Sequence, residues 1–168
     1  MPRDPNARIV ASDPGKWHAG VGFFHRRQLV GVQFPRWPNE FRAESRQGDA
    51  CAFVAWSVVT PWSTSPDAVV VEQPLIRDPR RQKGAQADLL PLCDMKGAFF
   101  ARFHPTTCIS VPVTMWKGNR PKDITLPHVM AKLSDAEKNI IFKLGLSKAD
   151  VEHVIEAVGV GLWAVARM

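Results

Sequence analysis

Tyrosine is absent from the 168 residues, and cysteine occurs three times, at Cys51, Cys93 and Cys108. Cysteines so far apart exclude the disulfide framework of a small secreted domain, and no Cys-x-x-Cys pair offers a zinc site. No apolar run approaches the roughly 18 residues of a membrane span. The longest, Ala157–Ala166, is closed by Glu156 and Arg167. The opening Met1-Pro2-Arg3-Asp4-Pro5 leads into no signal-like segment, so an intracellular protein is expected. There is no internal repeat, low-complexity tract or long flexible linker. At roughly 100–200 residues per domain, the expectation is one domain over residues 1–168.

What is present is an ordinary globular composition, 45% apolar and 23% charged, which excludes wholesale disorder. Acids are the minority charge: 22 Lys and Arg against 16 Asp and Glu leave a net +6. A basic domain of this kind often meets a polyanion, nucleic acid above all. The basic residues are also grouped. Arg77, Arg80, Arg81 and Lys83 crowd one Pro-containing stretch, and Lys117, Arg120 and Lys122 another. Both stretches follow segments that read as strands.

Residues 7–13, 19–25 and 28–34 are apolar and β-prone, broken by Asp13-Pro14-Gly15-Lys16 and by a short basic turn. They predict a three-stranded antiparallel meander. Residues 35–48 read as a Pro-containing connection. Residues 49–60 carry Ala50, Phe53, Val54 and Ser57 at helical spacing, with Asp49 as a cap. Residues 68–72 (AVVVE) suit a central strand buried on both faces. Residues 84–102 read as a helix, 108–113 as an edge strand ending at Pro112, and 114–130 as loop with a short helical turn. Ser134–Glu137 and Ser147–Asp150 fit the capping-box pattern before two further helices. The last helix turns Val151, Val154, Ile155, Val158, Leu162 and Val165 inward. This order predicts an α/β fold: a five-stranded mixed sheet, antiparallel meander plus βαβ units, with helices on both faces.

Three places set an acid where the apolar pattern predicts burial. Asp13 ends the first strand, Glu72 ends AVVVE, and Glu156 sits in the last helix with His153 three residues before it. Residues three apart share a helix face, so His153 and Glu156 reach one point together. Carboxylates at strand ends beside a helical acid and imidazole suit divalent cations. Simpler readings stand beside this one. Asp13 before Pro-Gly fits a turn, Glu72 fits an ion pair with Arg77, and His153 with Glu156 fits a solvated helix face.

Taken in chain order, ASDPGKWHAGVGFF, VVVEQP, Gly84-Ala85-Gln86-Ala87 and HVIEAVGVGLWA resemble the RuvC family of Holliday-junction resolvases, within the ribonuclease H-like superfamily. The resemblance runs from about residue 8 to residue 167. Two departures stand out. The helical acid is Glu156 where the family has Asp, and residues 73–83, after the second acid, contain no Phe, Tyr or Trp where the family carries an aromatic wedge.

The resemblance implies a ribonuclease H-like fold and a metal-dependent endonuclease that cuts branched DNA. It implies two Mg²⁺ or Mn²⁺ ions per active site, with Asp13 shared between them, Glu72 on one and His153 with Glu156 on the other. It implies in-line hydrolysis to a 5′-phosphate and a 3′-hydroxyl, a homodimer matched to a four-way junction, and a cytoplasmic protein of bacterial or phage origin. Arg77, Arg80, Arg81 and Lys83 would then hold phosphates near the branch point, and Lys117 and Lys122 the cleaved backbone. Trp17 and Trp116 would border the site and stack on bases, while Trp56 and Trp163 would be core or dimer contacts. The rival readings are a nuclease of RNA–DNA hybrids and a non-catalytic branched-DNA binder.

Overall fold

β-Branched and aromatic residues dominate segments that alternate around a common plane, and they pair accordingly. The computed structural model describes residues 4–73 and 85–168. Strands β1 (Ile9–Pro14), β2 (Ala19–His25), β3 (Gln28–Gln33), β4 (Ala68–Gln73) and β5 (Thr107–Pro112) form one sheet in the order β3-β2-β1-β4-β5. The β1–β2 and β2–β3 pairs are antiparallel, whereas β1–β4 and β4–β5 are parallel. The predicted mixed sheet is therefore present, with β5 as its edge.

Helices α1 (Gln47–Trp56) and α2 (Ala85–Phe103) cover one face. Helices α4 (Lys122–Ala131), α5 (Asp135–Phe142) and α6 (Lys148–Ala164) cover the other, with the one-turn α3 (Val113–Trp116) between β5 and α4. Strand alternation divides the core in two. Val10, Val21, Phe23, Val69 and Val71 pack with α1 and α2. Ile9, Ala11, Phe24, Ala68 and Val70 pack with α4, α5 and α6. Val69, Val70 and Val71 are fully buried, as expected of a strand covered on both faces.

Four expectations shift. Residues 114–130 hold α3 and α4 rather than loop; Pro127 stands inside α4, whose Thr125 and Val129 are buried. A proline there hides the helical signal, and packing against α6 overrides the local preference. Helix α1 starts at Gln47 and ends at Trp56; Asp49 lies in its first turn and bonds the Arg46 Nε at 3.1 Å instead of capping. Its buried face is Gln47, Ala50, Cys51, Val54 and Ala55, which leaves Phe53 exposed.

The Ser134–Glu137 capping box is complete. Buried Glu137 also accepts the Leu29 backbone N–H at 2.8 Å and two Arg167 bonds at 2.6 and 3.0 Å, tying α5 to β3 and to the C-terminal segment. Burial alone would raise the Glu137 pKa, but Arg167 and the N–H donors of Leu29 and Ser134 hold it down at about 2. Glu137→Ala strands these donors and is expected to cost roughly 3 kcal/mol of stability in urea unfolding. A loss below about 1 kcal/mol would show the cluster to be peripheral. The second predicted box is half formed: Ser147 Oγ accepts the Asp150 backbone N–H and donates to one Asp150 carboxylate oxygen, while the other pairs with Arg36 rather than with the cap backbone.

Candidate active site

Strand parity places the acids. Ile9, Ala11 and Asp13 of β1, and Ala68, Val70 and Glu72 of β4, point to one face because alternate residues share a face. The apolar members join the core beneath α6. Both carboxylates therefore emerge on the face that α6 covers, at adjacent strand ends, one step beyond the Ser12–Val71 pair.

Helix α6 approaches because Asp13 pairs across the sheet with Gly20. A Cβ on Gly20 would lie 2.1 Å from the His153 carbonyl oxygen, closer than any side chain allows. Farther along, Gly159 leaves room for the Trp116 ring, which a Cβ would meet at 2.4 Å. These two contacts set the height of α6 and the place of Trp116. Gly20→Ala is expected to displace His153, to weaken Mn²⁺ binding in calorimetry by roughly tenfold or more, and to cost about 1–3 kcal/mol of stability. Unchanged Mn²⁺ affinity would mean that the close approach does not govern the site.

His153 Nδ1 lies 2.8 Å from Asp13 Oδ2. One ligand atom each from Asp13, His153 and Glu156 fall within 4.8 Å of one another. Glu72 stands beside them and accepts the Trp116 Nε1–H at 2.6 Å. Lys117 and Lys122 close the site: Glu156 takes Lys117 at 3.3 Å and Lys122 at 3.2 Å, and Lys122 also reaches Glu152 at 3.3 Å. Burial raises the Asp13 pKa, with the charge of Glu156 adding and the His153 bond opposing. Burial and the charge of Asp13 push Glu72 up to about 8. The Asp13 bond raises His153. Crowded, desolvated acids are thus balanced by protons and two ammonium groups.

Hence all four predicted site residues, Asp13, Glu72, His153 and Glu156, and the two predicted basic residues Lys117 and Lys122 converge at one end of the sheet. Arg77, Arg80, Arg81 and Lys83 lie outside the described residues. Trp116 corrects an expectation: it is buried and serves as a donor to Glu72, not as an open stacking surface. Trp17 is half-buried, with Lys16 and Arg42 over its ring. Two participants escaped the sequence. His18 packs its ring 4.5 Å from that of His153 and 5.0 Å from Phe34. Burial and the charge of His153 lower its pKa to about 4, so it is neutral. A lone histidine five residues after an acid has no motif; only the β1–β2 turn folding under α6 reveals it. Glu152 had no signal apart from its helical neighbours.

A five-stranded mixed sheet in the order β3-β2-β1-β4-β5, with helices on both faces, is the ribonuclease H-like α/β class of fold. Within that class, the fold is the one seen in RuvC. The chain superposes on the Thermus thermophilus RuvC structure with a TM-score of 0.58 at 16% identity, covering 96% of each chain. It matches T. thermophilus RuvC in complex with Holliday junction substrate at TM-score 0.56 and 16% identity, over 93% of this chain and 90% of that one. The yeast mitochondrial Holliday junction resolvase Ydc2 matches at TM-score 0.55 and 14% identity, over 99% and 84%. No protein-family profile and no curated protein sequence matches the chain. The yeast match gives the expected bacterial or phage source no support. Among the described residues, no helix is long and apolar enough to cross a membrane.

Proposed function

We propose that the chain is a metal-dependent endonuclease that resolves four-way DNA junctions. The observation that carries this reading is the convergence of Asp13, His153 and Glu156 within 4.8 Å, beside Glu72, in a fold shared with junction resolvases. The donor set fits a divalent cation: the carboxylates are desolvated and crowded, and with the imidazole they offer the oxygen and nitrogen ligands such an ion takes. A bound Mg²⁺ or Mn²⁺ supplies water activation and charge neutralisation at the phosphate, two ions being the arrangement suited to in-line hydrolysis.

The chain's own groups then divide the work. Asp13, Glu72, His153 and Glu156 would together hold the cations, with Asp13 between Glu72 on one side and His153 and Glu156 on the other. Trp116 fixes the Glu72 carboxylate, so that group is held in place before a cation arrives. The Phe34–His18–His153 stack fixes the imidazole. Lys117 and Lys122, which pair with Glu156, would be free to meet the cleaved strand once a cation took that carboxylate. Arg77, Arg80, Arg81 and Lys83 follow Glu72 in sequence and are assigned to phosphates at the branch point. A homodimer supplies paired sites for symmetrical nicks.

The test is gel-based cleavage of a synthetic four-way junction, beside linear duplex and RNA–DNA hybrid, with Mg²⁺, Mn²⁺ or EDTA. Paired nicks confined to the junction, and lost in EDTA, are expected. Preference for the hybrid would keep the chemistry and change the substrate. The pairing of Glu156 with two lysines favours one rival, a junction binder with a disabled site. Tight junction binding without nicks in either metal would select it and reject catalysis.

A further inference from the structure

At the other end of β4 from Glu72, about 13 Å along the strand, lies an open pocket of about 440 Å³ that the carboxylate site does not use. Its walls include Trp56, Trp62, Ser63, Thr64, Ser65 and Arg102. Trp56, the last residue of α1, is 63% exposed, unusual for the largest apolar side chain. The Arg102 guanidinium stands 4.8 Å from its ring centroid. Arg102 Nε is buried and, among the described residues, has no hydrogen-bond partner; Arg102 makes no ion pair there either. The acid nearest in sequence to this hydroxyl segment, Asp67, is engaged by Arg8, which also bonds Thr64. Trp62 is anchored edge-on against Phe23 at 5.9 Å.

We propose that this pocket binds a nucleotide unit, its phosphate at Arg102 and the serine and threonine hydroxyls and its base against Trp56. An unpartnered guanidinium donor among hydroxyls is anion-binding chemistry, strongest for phosphate or carboxylate. An exposed indole beside it selects a flat ring attached to that anion. Both features fit a chain of net charge +6. A second copy of the chain is the other candidate occupant, but a self-complementary protein face has an apolar centre, whereas this pocket sets Thr60, Ser63, Thr64, Ser65, Arg102 and His104 beside its aromatic walls. The pocket shares no residue with the carboxylate site, so the inference does not depend on catalysis.

The test follows the tryptophan indole N–H signals of the full chain by NMR, in EDTA, during titration with hexathymidylate, dTMP or inorganic phosphate. The Trp56 and Trp62 signals are expected to move saturably with hexathymidylate. Trp56→Ala, at an exposed position, and Arg102→Lys, which keeps the charge and loses the Nε donor, are each expected to weaken that binding roughly tenfold. Equal binding of dTMP identifies a free nucleotide as the ligand; binding of hexathymidylate alone identifies a DNA strand. Three results overturn the proposal: neither signal moves, inorganic phosphate reproduces the full shift at equal affinity, or Trp56 responds to protein concentration alone because a second copy covers it.

Discussion

Asp13→Asn is expected to lower metal-dependent junction cleavage by more than about a hundredfold, beyond the loss that follows removal of a group merely supporting a metal ligand. Asp13 is the carboxylate that would help hold both proposed ions, and Asn offers one neutral oxygen where two anionic ones stood. The substitution is nearly isosteric, and its carbonyl still accepts from His153 Nδ1, now 2.8 Å away. Fold and junction binding should therefore survive. Binding in EDTA is expected within about threefold of the parent, because Asp13 is 7% exposed and offers the phosphates no cation. In EDTA the variant should melt no lower than the parent, since a desolvated carboxylate of raised pKa is replaced by a neutral amide. Single-turnover cleavage, gel-shift titration and thermal melting separate these effects. Cleavage at the parent rate would remove Asp13 from the centre of the site, and joint loss of cleavage, binding and melting temperature would show only misfolding.

The sheet and the site were legible in the sequence to different depths. The succession of strands and helices along the chain, and the antiparallel meander, followed from alternation, turn chemistry and one fully apolar run, and these are local signals. Val69, Val70 and Val71 could be read as buried on both faces because nothing polar interrupts them. The acids were legible as anomalies, a carboxylate ending an apolar run. Their facing the same helix follows from parity: Asp13 and Glu72 each lie an even number of residues from Ile9 or Ala68, which enter the same core. What stayed hidden was set by tertiary contact. Helix α4 carries Pro127, and its stability comes from Thr125 and Val129 packed beneath α6. Trp116 read as a surface ring because its segment looked like loop. Gly159 makes its pocket on α6, more than 40 residues away, and no local pattern couples the two.

The reach of α6 also accounts for where the Glu156 carboxylate lies, at a position where the resemblance leads one to expect Asp. Gly20 lets the helix backbone touch β2, and the longer side chain extends to Lys117 and Lys122. Its carboxylate is thus held from two sides. An acid on a longer stem would otherwise lose more rotamer freedom on ordering.

Divalent cations are expected to bind with release of protons, and more tightly as pH rises from 6.5 to 8.5. The signs are set by the groups at the site. Glu72 is raised to about 8, so the cation-free folded state keeps a proton that the unfolded chain has lost. That stabilisation is complete below pH 4.5 and disappears as pH rises through about 8. His153, raised by its bond to Asp13, acts in the same sense: its contribution is complete below pH 6.5 and disappears above. His18, lowered to about 4, acts oppositely, and its stabilisation is lost as pH falls from 6.5 towards 4. Above pH 6.5 the His18 contribution no longer changes, and Glu72 and His153, with Asp13 raised in the same sense by its burial, set the trend. The cation-free protein should lose melting temperature between pH 6.5 and 8.5, and Mg²⁺ or Mn²⁺ should restore it more at the upper end. A cation must displace the protons held at Glu72 and between Asp13 and His153, so affinity gains up to about tenfold per pH unit for each proton released. Calorimetry in two buffers of different ionisation enthalpy counts those protons directly. At least one is expected at pH 7 in the parent, and fewer in Glu72→Gln, whose amide holds no titratable proton. PH-independent Mn²⁺ affinity with no proton release would mean that the cation binds away from these acids, and the proposed chemistry would lose its centre.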